Sequence, residues 1–235
     1  MQLQNYYHSE NDTIRFSRQQ ASDFAKNIAG DFNPIHNIDA KRFCVPGDLL
    51  FAVALHRYGL SQKMRFTFSG MVTDEAVIFP DGASDNIAIN DTNGKQYLTI
   101  ERNGEKSHDP TLLSELTRNY VAFSGQTFPH ILVPLMKKNG VMINPERPLV
   151  IYESMEINID RLDAAAPTLE FSRSHLEVEG KRGSATLEFK LISHGKTVGH
   201  GAKSMVLSGL REFDAAQISA LVSEYETWKQ NHLNT

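Results

Sequence analysis

The stretch 30–36 of the chain, which reads Gly-Asp-Phe-Asn-Pro-Ile-His, places a carboxylate and an imidazole five residues apart. Asp31 and His36 are side chains of the kind that take up and release protons in general acid–base catalysis. Pro34 fixes its own φ and biases Asn33 toward extended backbone. The spacing therefore predicts a rigid corner on which the two side chains can converge.

Helices are expected on both sides of this corner. A helix through 24–28 should end near Gly30, because glycine readily takes the left-handed conformation in which helices often finish. Downstream, residues 49–58 form a dense apolar run that is too long for a typical strand and is stopped by Gly59. This run predicts a buried helix.

Strands follow the second of these helices. From position 63 the hydrophobic spacing changes to a period of two, since Met64, Phe66 and Phe68 alternate with polar residues. The Asn-Gly pairs at 93–94 and 103–104 are hairpin signals on either side of a short apolar run. Together these features predict an antiparallel meander.

The same order of elements returns in the second part of the chain. Residues 111–140 are mostly helical in pattern, with breaks near Gly125 and Pro129, and alternating strands and a C-terminal helix come after them. We therefore predict two helix-and-sheet halves, residues 1–108 and 109–235. Joining their sheets edge to edge would remove exposed strand edges.

Composition limits the function classes that need to be considered. The chain has 235 residues, 40% of them hydrophobic, and its formal net charge of -4 argues against binding of nucleic acid. Its single cysteine, Cys44, cannot form an intramolecular disulfide, so we expect a small buried apolar side chain there. The sequence has neither a signal-peptide pattern nor an apolar run of about 18 residues, which predicts a cytoplasmic protein that does not span a membrane. The histidines lack metal-ligand spacing, so no metal or other cofactor is expected.

Residues 29–36, together with Ala40, resemble the signature Gly-Asp-x-Asn-Pro-hydrophobic-His of the MaoC-like (R)-specific enoyl-CoA hydratase/dehydratase family. The resemblance implies a hot-dog fold, in which an antiparallel sheet wraps a long central helix. For this chain it implies an α+β double hot-dog. Residues 1–108 would carry the motif, and residues 109–235 would lack it and end in a helix.

By the same resemblance, Asp31 and His36 are the catalytic pair and Asn33 supports the loop. The implied reaction adds water to a trans-2-enoyl thioester to give an (R)-3-hydroxyacyl thioester, or removes it. The substrate would be attached to CoA or to an acyl carrier protein, and a homodimer is left open. This chemistry needs donors for charge that develops on the thioester oxygen, which a helix N-terminus can supply. Gly47, similar to the glycine that begins the family's central helix, is the candidate.

Two positions depart from the family pattern. The family usually has histidine where this chain has Pro46, and Asp48 places a carboxylate in the first helical turn. Such a carboxylate stabilises a helix, but it would repel an enolate oxygen if it pointed into the site. The departures leave two alternatives open: a non-catalytic binding or regulatory protein for acyl-CoA or an acyl carrier, and a hot-dog thioesterase.

Simpler structural explanations are open for the same residues. Asp31 and His36 could be a helix cap and a loop histidine bonded to backbone, since such residues are common in turns. His130 follows Phe128 and Pro129 at the place in the second half that corresponds to Gly47 in the first. It is therefore a candidate for the tunnel wall, although packing is the commoner role for such a residue.

Overall fold

One large antiparallel sheet forms the frame of the molecule. The computed structural model describes residues 1–163 and 167–234. The strands of this part of the chain are β1 (His8–Glu10), β2 (Thr13–Arg15), β3 (Leu60–Phe68), β4 (Val77–Ile78), β5 (Asn86–Asp91), β6 (Gln96–Ser107), β7 (Val141–Met142), β8 (Val150–Ile159), β9 (Thr168–Glu179), β10 (Arg182–Ser193), β11 (Lys196–Ser208) and β12 (Arg211–Glu212). The sheet has the order β1-β2-β4-β5-β6-β3-β8-β11-β10-β9, while β7 pairs with β12.

Helices cover this sheet. The α-helices of the described residues are α1 (Arg18–Asp23), α2 (Gly47–Tyr58), α3 (Pro110–Gly125), α4 (Thr127–His130), α5 (Leu132–Lys138) and α6 (Ala215–Leu233). A π-helical turn (Phe24–Ala29) extends α1, and a 3-10 turn (Pro34–His36) lies at the predicted corner. Within residues 1–163 and 167–234, none of the helices combines the length and the apolar character that crossing a lipid bilayer would require.

Helix α2 is the central helix of the first half. Its residues 49–55 are all apolar and buried, which is nearly two full turns, as expected for a helix inside a core. The ring of Phe51 lies 5.1 Å from that of Phe66 in β3 and 4.8 Å from that of Tyr120 in α3, measured between centroids. The helix stops at Gly59, where φ is 76°. The predicted buried helix is confirmed.

The two halves meet where β3 pairs with β8. This pairing is antiparallel and places Phe66 opposite Met155 on the buried face, while Arg65 and Glu156 lie on the exposed face with their charged atoms 3.3 Å apart. Each half contributes helices and an antiparallel sheet, and the sheets are continuous through the join. The chain therefore has the predicted α+β double hot-dog fold.

The domain boundary between residues 108 and 109 stays a prediction. It falls between the end of β6 and the start of α3. The predicted second half, 109–235, includes residues 164–166 and 235, which lie outside the described residues.

One of the two hairpin predictions is wrong. The Asn-Gly pair at 93–94 lies in the turn between β5 and β6, but β6 continues through the pair at 103–104. The register against β3 shifts just after Asn103, so Gly104 and Glu105 form a β-bulge opposite Gln62. The left-handed conformation of Gly104, with φ of 86°, suits a bulge as well as a turn. The Glu105 N–H of the bulge donates a hydrogen bond to Gln62 Oε1 at 3.1 Å.

The helical region of the second half supports the loop of the first. It is divided into α3, α4 and α5, close to the breaks predicted near Gly125 and Pro129. At the end of α3, Gly125 lies so near the π-helical turn that a Cβ placed on it would overlap the Ala29 carbonyl oxygen. Glycine at this position therefore allows the second half to pack directly against the segment that leads to Asp31.

Replacing Gly125 by alanine tests this close approach. We expect Gly125→Ala to lower the free energy of unfolding by about 2–3 kcal/mol, because the new methyl group meets backbone that can move only if the turn shifts. Urea unfolding followed by circular dichroism measures the change. Thr111→Ala, at an exposed position of the same helix, is the control and should change stability by less than about 0.5 kcal/mol. Equal stability of the two variants would contradict the packing.

Candidate active site

The motif loop directs one oxygen of Asp31 away from the backbone. The π-helical turn ends at Gly30, which has φ of 66°, and the Asp31 N–H donates to the Ala25 carbonyl at 2.8 Å. Asp31 Oδ1 accepts the Asn33 N–H at 2.9 Å, and Asn33 Oδ1 accepts the Ile35 N–H at 3.2 Å. Asn33 thus caps the 3-10 turn, and Oδ2 of Asp31 is left to face His36.

His36 is held in one orientation by the main chain. Its Nδ1 lies 2.7 Å from the Cys44 carbonyl oxygen, and because a carbonyl can only accept, Nδ1 carries the hydrogen. In the neutral ring, Nε2 is then an acceptor. Nε2 lies 3.7 Å from Asp31 Oδ2, too far for a direct hydrogen bond. Two acceptors that face each other at this separation can each receive one hydrogen of a single water molecule.

Gly47 begins α2 beside this pair. The amides of a first helical turn have no acceptor within the helix, and the helix dipole favours negative charge there. Aromatic packing explains the glycine, since a Cβ at this position would lie 2.8 Å from Tyr152 Cδ1 and 3.3 Å from Phe68 Cε1. The position predicted for an oxyanion site is therefore at a helix N-terminus and lines the same cavity as Asp31 and His36.

This cavity has a volume of about 620 Å³, within the usual range for small-molecule sites. Both halves contribute polar side chains to its wall, whereas much of the apolar wall comes from the second half. Its polar side chains include Asp31, His36, Asp48, Ser124, Tyr152 and Lys203. Its apolar side chains from the second half include Phe128, Leu132, Val150, Met205, Leu221 and Trp228.

Asp48 lines the cavity, and among the described residues only one of its two oxygens has a hydrogen-bond partner, so its neighbours reduce the concern raised by its sequence position but do not remove it. It is buried, and its Oδ2 accepts a hydrogen bond of 2.6 Å from the Ser124 hydroxyl, which in turn accepts one from Lys203 Nζ. Burial raises the pKa of the Asp48 carboxyl, while the Lys203 charge and the Ser124 hydrogen bond act in the opposite direction. Sequence reasoning missed Ser124 and Lys203, which are 76 and 79 residues away from their partners.

Tyr225 of α6 supports the Asp31 loop from the second half. Its hydroxyl accepts the Phe32 N–H at 3.2 Å and donates to the Gly30 carbonyl at 3.4 Å, so it bonds to the residues on both sides of Asp31. Its ring packs edge-to-face on those of Phe32 and Phe128. Burial, with a smaller effect of Asp31, raises the pKa of Tyr225, which keeps the hydroxyl protonated. In the sequence, Tyr225 shares helical spacing with Ile218, Leu221 and Val222, which indicates a buried position but not this bonding role.

The structure also shows the surroundings of His130 and Cys44, which the sequence analysis had considered. His130 is exposed and does not line the cavity, whereas the nearby Phe128 does. The suggested tunnel role of His130 is therefore wrong, because α4 turns its side chain to solvent. The Cys44 thiol donates to the Val45 carbonyl at 3.2 Å, and burial raises its pKa to about 12, which disfavours the reactive thiolate. In the described residues, no group of three or more His, Cys, Asp or Glu side chains is placed to hold a metal ion.

Removing the Tyr225 hydroxyl tests whether it supports the Asp31 loop. Tyr225→Phe keeps the ring and removes both hydrogen bonds, so we expect the free energy of unfolding to fall by about 1–2 kcal/mol and the Phe32 amide to exchange faster with solvent. Urea unfolding and amide hydrogen exchange by NMR measure these effects. Tyr6→Phe, at a tyrosine that packs on Phe24, is the control. Unchanged exchange at Phe32 would show that the hydroxyl does not hold the loop.

Solved structures with a similar arrangement of the chain share little sequence with it. The full-length peroxisomal multifunctional enzyme type 2 from Drosophila melanogaster has a TM-score of 0.47 at 12% identity, and the match covers 83% of this chain and 48% of that one. A MaoC-like dehydratase has a TM-score of 0.44 at 9% identity, covering 88% and 99%. The acyl-CoA thioesterase II TesB2 from Mycobacterium marinum has a TM-score of 0.40 at 12% identity, covering 92% and 99%. These similarities are too weak to support an inference about activity.

Sequence comparison places the chain in a family. No curated protein sequence is similar enough to count as a match. Residues 1–216, which extend from the N-terminal strands through the motif and β12 to the start of α6, match one family model. The chain therefore belongs to the family described as "Protein of unknown function (DUF3581)".

Proposed function

We propose that the protein is a hydro-lyase that adds water to a trans-2-enoyl thioester, giving an (R)-3-hydroxyacyl thioester, or catalyses the reverse reaction. The observation that carries the proposal is the 3.7 Å separation of Asp31 Oδ2 and His36 Nε2 in a largely apolar cavity beside the start of α2. The resemblance of residues 29–36 to the signature of MaoC-like hydratases supports the same reaction. The acyl group would be carried by CoA or by an acyl carrier protein.

In the proposed mechanism, one water molecule donates a hydrogen bond to each acceptor. His36 Nε2 takes a proton as the water oxygen bonds to C3 of the enoyl group, and the electrons move to the thioester oxygen. The first-turn amides at Gly47 stabilise the charge on that oxygen. The imidazolium then gives its proton to C2. One hydrogen and one hydroxyl have been added, and His36 has returned to its starting form.

The two halves would have different tasks in this reaction. The acid–base pair comes from the first half, residues 1–108. The apolar wall from the second half, residues 109–235, would receive the acyl chain, because it lines the same cavity as Asp31 and His36. We therefore propose one active site per chain, with the half that lacks the motif forming the tunnel.

Hydration of enoyl-CoAs tests the assignment. We expect wild-type protein to hydrate crotonyl-CoA or longer trans-2-enoyl-CoAs, followed by loss of absorbance of the conjugated double bond. Asp31→Asn and His36→Gln should each lower kcat by at least about 100-fold, because each removes one partner of the water. Asp39→Asn and His200→Gln, both at exposed positions, are matched controls and should retain wild-type rates.

The same assay separates the alternatives. Release of free CoA thiol without hydration would favour a thioesterase. Tight binding of acyl-CoA with no product would favour a binding or regulatory protein. Full activity in Asp31→Asn or His36→Gln would contradict the assigned roles of these two residues.

The chain-length preference tests the tunnel. Leu221 of α6 is half-buried and lines the apolar part of the cavity. Leu221→Trp should reduce kcat/KM for a long-chain enoyl-CoA by about tenfold or more while leaving crotonyl-CoA nearly unaffected, because the larger ring occupies space that only a long chain needs. Leu221→Met, which nearly conserves volume, is the control. An equal loss for both substrates would contradict the placement of the acyl chain.

A further inference from the structure

Lys203 is a buried ammonium group in the wall of the cavity. It extends from β11, opposite Met155 of β8, and only 6% of the residue is exposed. Its Nζ donates a hydrogen bond to the Ser124 hydroxyl and lies 4.3 Å from the centre of the Tyr152 ring. Lysine is almost never buried unless its charge is paired, so its place in the cavity needs a reason.

The ammonium group has more donors than these contacts use. Lysine carries three N–H donors. The Ser124 oxygen accepts one, and the face of the Tyr152 ring can attract a second. Within the described part of the chain these are the two polar contacts of Nζ. A donor therefore remains for a molecule in the cavity.

Asp48 balances the lysine charge through Ser124. The serine hydroxyl donates to Asp48 Oδ2 at 2.6 Å and accepts from Lys203, so the three side chains form an ion pair bridged by one hydroxyl. Each of the three residues is more than nine-tenths buried. Taken together they carry no net charge, yet they present an N–H donor to the cavity.

The Tyr152 ring connects this ion pair to the helix N-terminus. Lys203 Nζ lies over the ring, and Tyr152 Cδ1 would be 2.8 Å from a Cβ at Gly47. Asp48 directly follows Gly47 in the chain. The ammonium group and the first-turn amides of α2 are therefore neighbours in the same cavity as Asp31 and His36.

We infer that Lys203 is a further catalytic residue, which donates a hydrogen bond to the carbonyl oxygen of a thioester in the cavity and stabilises the negative charge that forms there. The inference rests on the proposed function. The ligand is a neutral acyl thioester rather than one with an additional carboxylate. A carboxylate on the ligand would gain little binding free energy from Lys203, because Asp48 already neutralises the charge of the lysine.

Infrared spectroscopy of a bound, unreactive thioester tests the contact without turnover. The probe is butyryl-CoA with carbon-13 at the thioester carbonyl, which has no double bond to hydrate. We expect wild-type protein to move the carbonyl band to lower frequency, and Lys203→Met to return it toward the frequency of free butyryl-CoA. Lys203→Gln keeps a neutral donor and should give a band at an intermediate frequency. It replaces Lys203→Met in this test if the methionine variant does not fold. Lys196→Met, at an exposed position of the same strand, should match wild type.

Kinetics provides the second measurement. Lys203→Met should lower kcat/KM for crotonyl-CoA about 100-fold, the effect typical of losing one donor to an oxyanion. The Kd for butyryl-CoA should change by less than about threefold, because a ground-state carbonyl carries little charge.

The outcomes separate this inference from the proposed function. An unchanged carbonyl band in Lys203→Met or Lys203→Gln, with hydration by wild type, overturns the role of Lys203 and leaves the hydratase proposal in place. A band shift that depends on Lys203, with no hydration of any enoyl-CoA, supports the binding contact and overturns the hydratase proposal. Failure of wild type to bind butyryl-CoA overturns both.

Discussion

Backbone hydrogen bonds between β3 and β8 join the sheets of the two halves, and the candidate site depends on this join. Strand β8 carries Tyr152, and its neighbour β11 carries Lys203, so the pairing brings both next to the start of α2. Without it, Asp48 would keep its place in the chain but lose the serine and the lysine that bond and balance it. The cavity is therefore a property of the fused pair of halves rather than of either one.

The two carboxylates of the cavity are held in different ways. Asp31 is partly exposed and bonded to backbone, with one oxygen turned toward His36. Asp48 is buried in the cavity wall, and burial and, to a smaller extent, the charge of Asp31 raise its pKa. Like charges in a low-dielectric site repel strongly, and a neighbouring cation offsets that repulsion. In the proposed reaction, environments this different would suit the two acids to different tasks, Asp31 to bonding the water and Asp48 to balancing the charge of Lys203.

Local sequence signals were sufficient for much of the fold and for the motif loop. Glycines at 30 and 59 end their helical segments, and alternation in β3 marks its buried face, because these features depend on backbone conformation and on neighbours in the chain. The hairpin turn predicted at the Asn-Gly pair 103–104 was wrong because a left-handed glycine occurs in bulges as well as in turns. Strand β9 was not predicted, since it is an edge strand in which most residues are exposed.

The remaining parts of the site could not be read from the sequence because they depend on distant pairs. Ser124 and Lys203 have no motif around them and acquire a role only when α3 and β11 are brought to Asp48. Tyr225 is about 195 residues from the loop it supports. A period of 3.6 identifies such a residue as buried, but not what its hydroxyl bonds to.

The hydrogen bond between His36 Nδ1 and the Cys44 carbonyl has a consequence for how the site can vary. The group that fixes the imidazole tautomer belongs to the peptide backbone, so every amino acid at position 44 supplies it. Substitution of the side chain at position 44 would therefore leave this hydrogen bond to the imidazole in place. A change in the length of the segment 37–43, which sets the distance between ring and carbonyl, would disrupt it. The spacing of this segment is thus a structural requirement of its own, independent of which residues fill it.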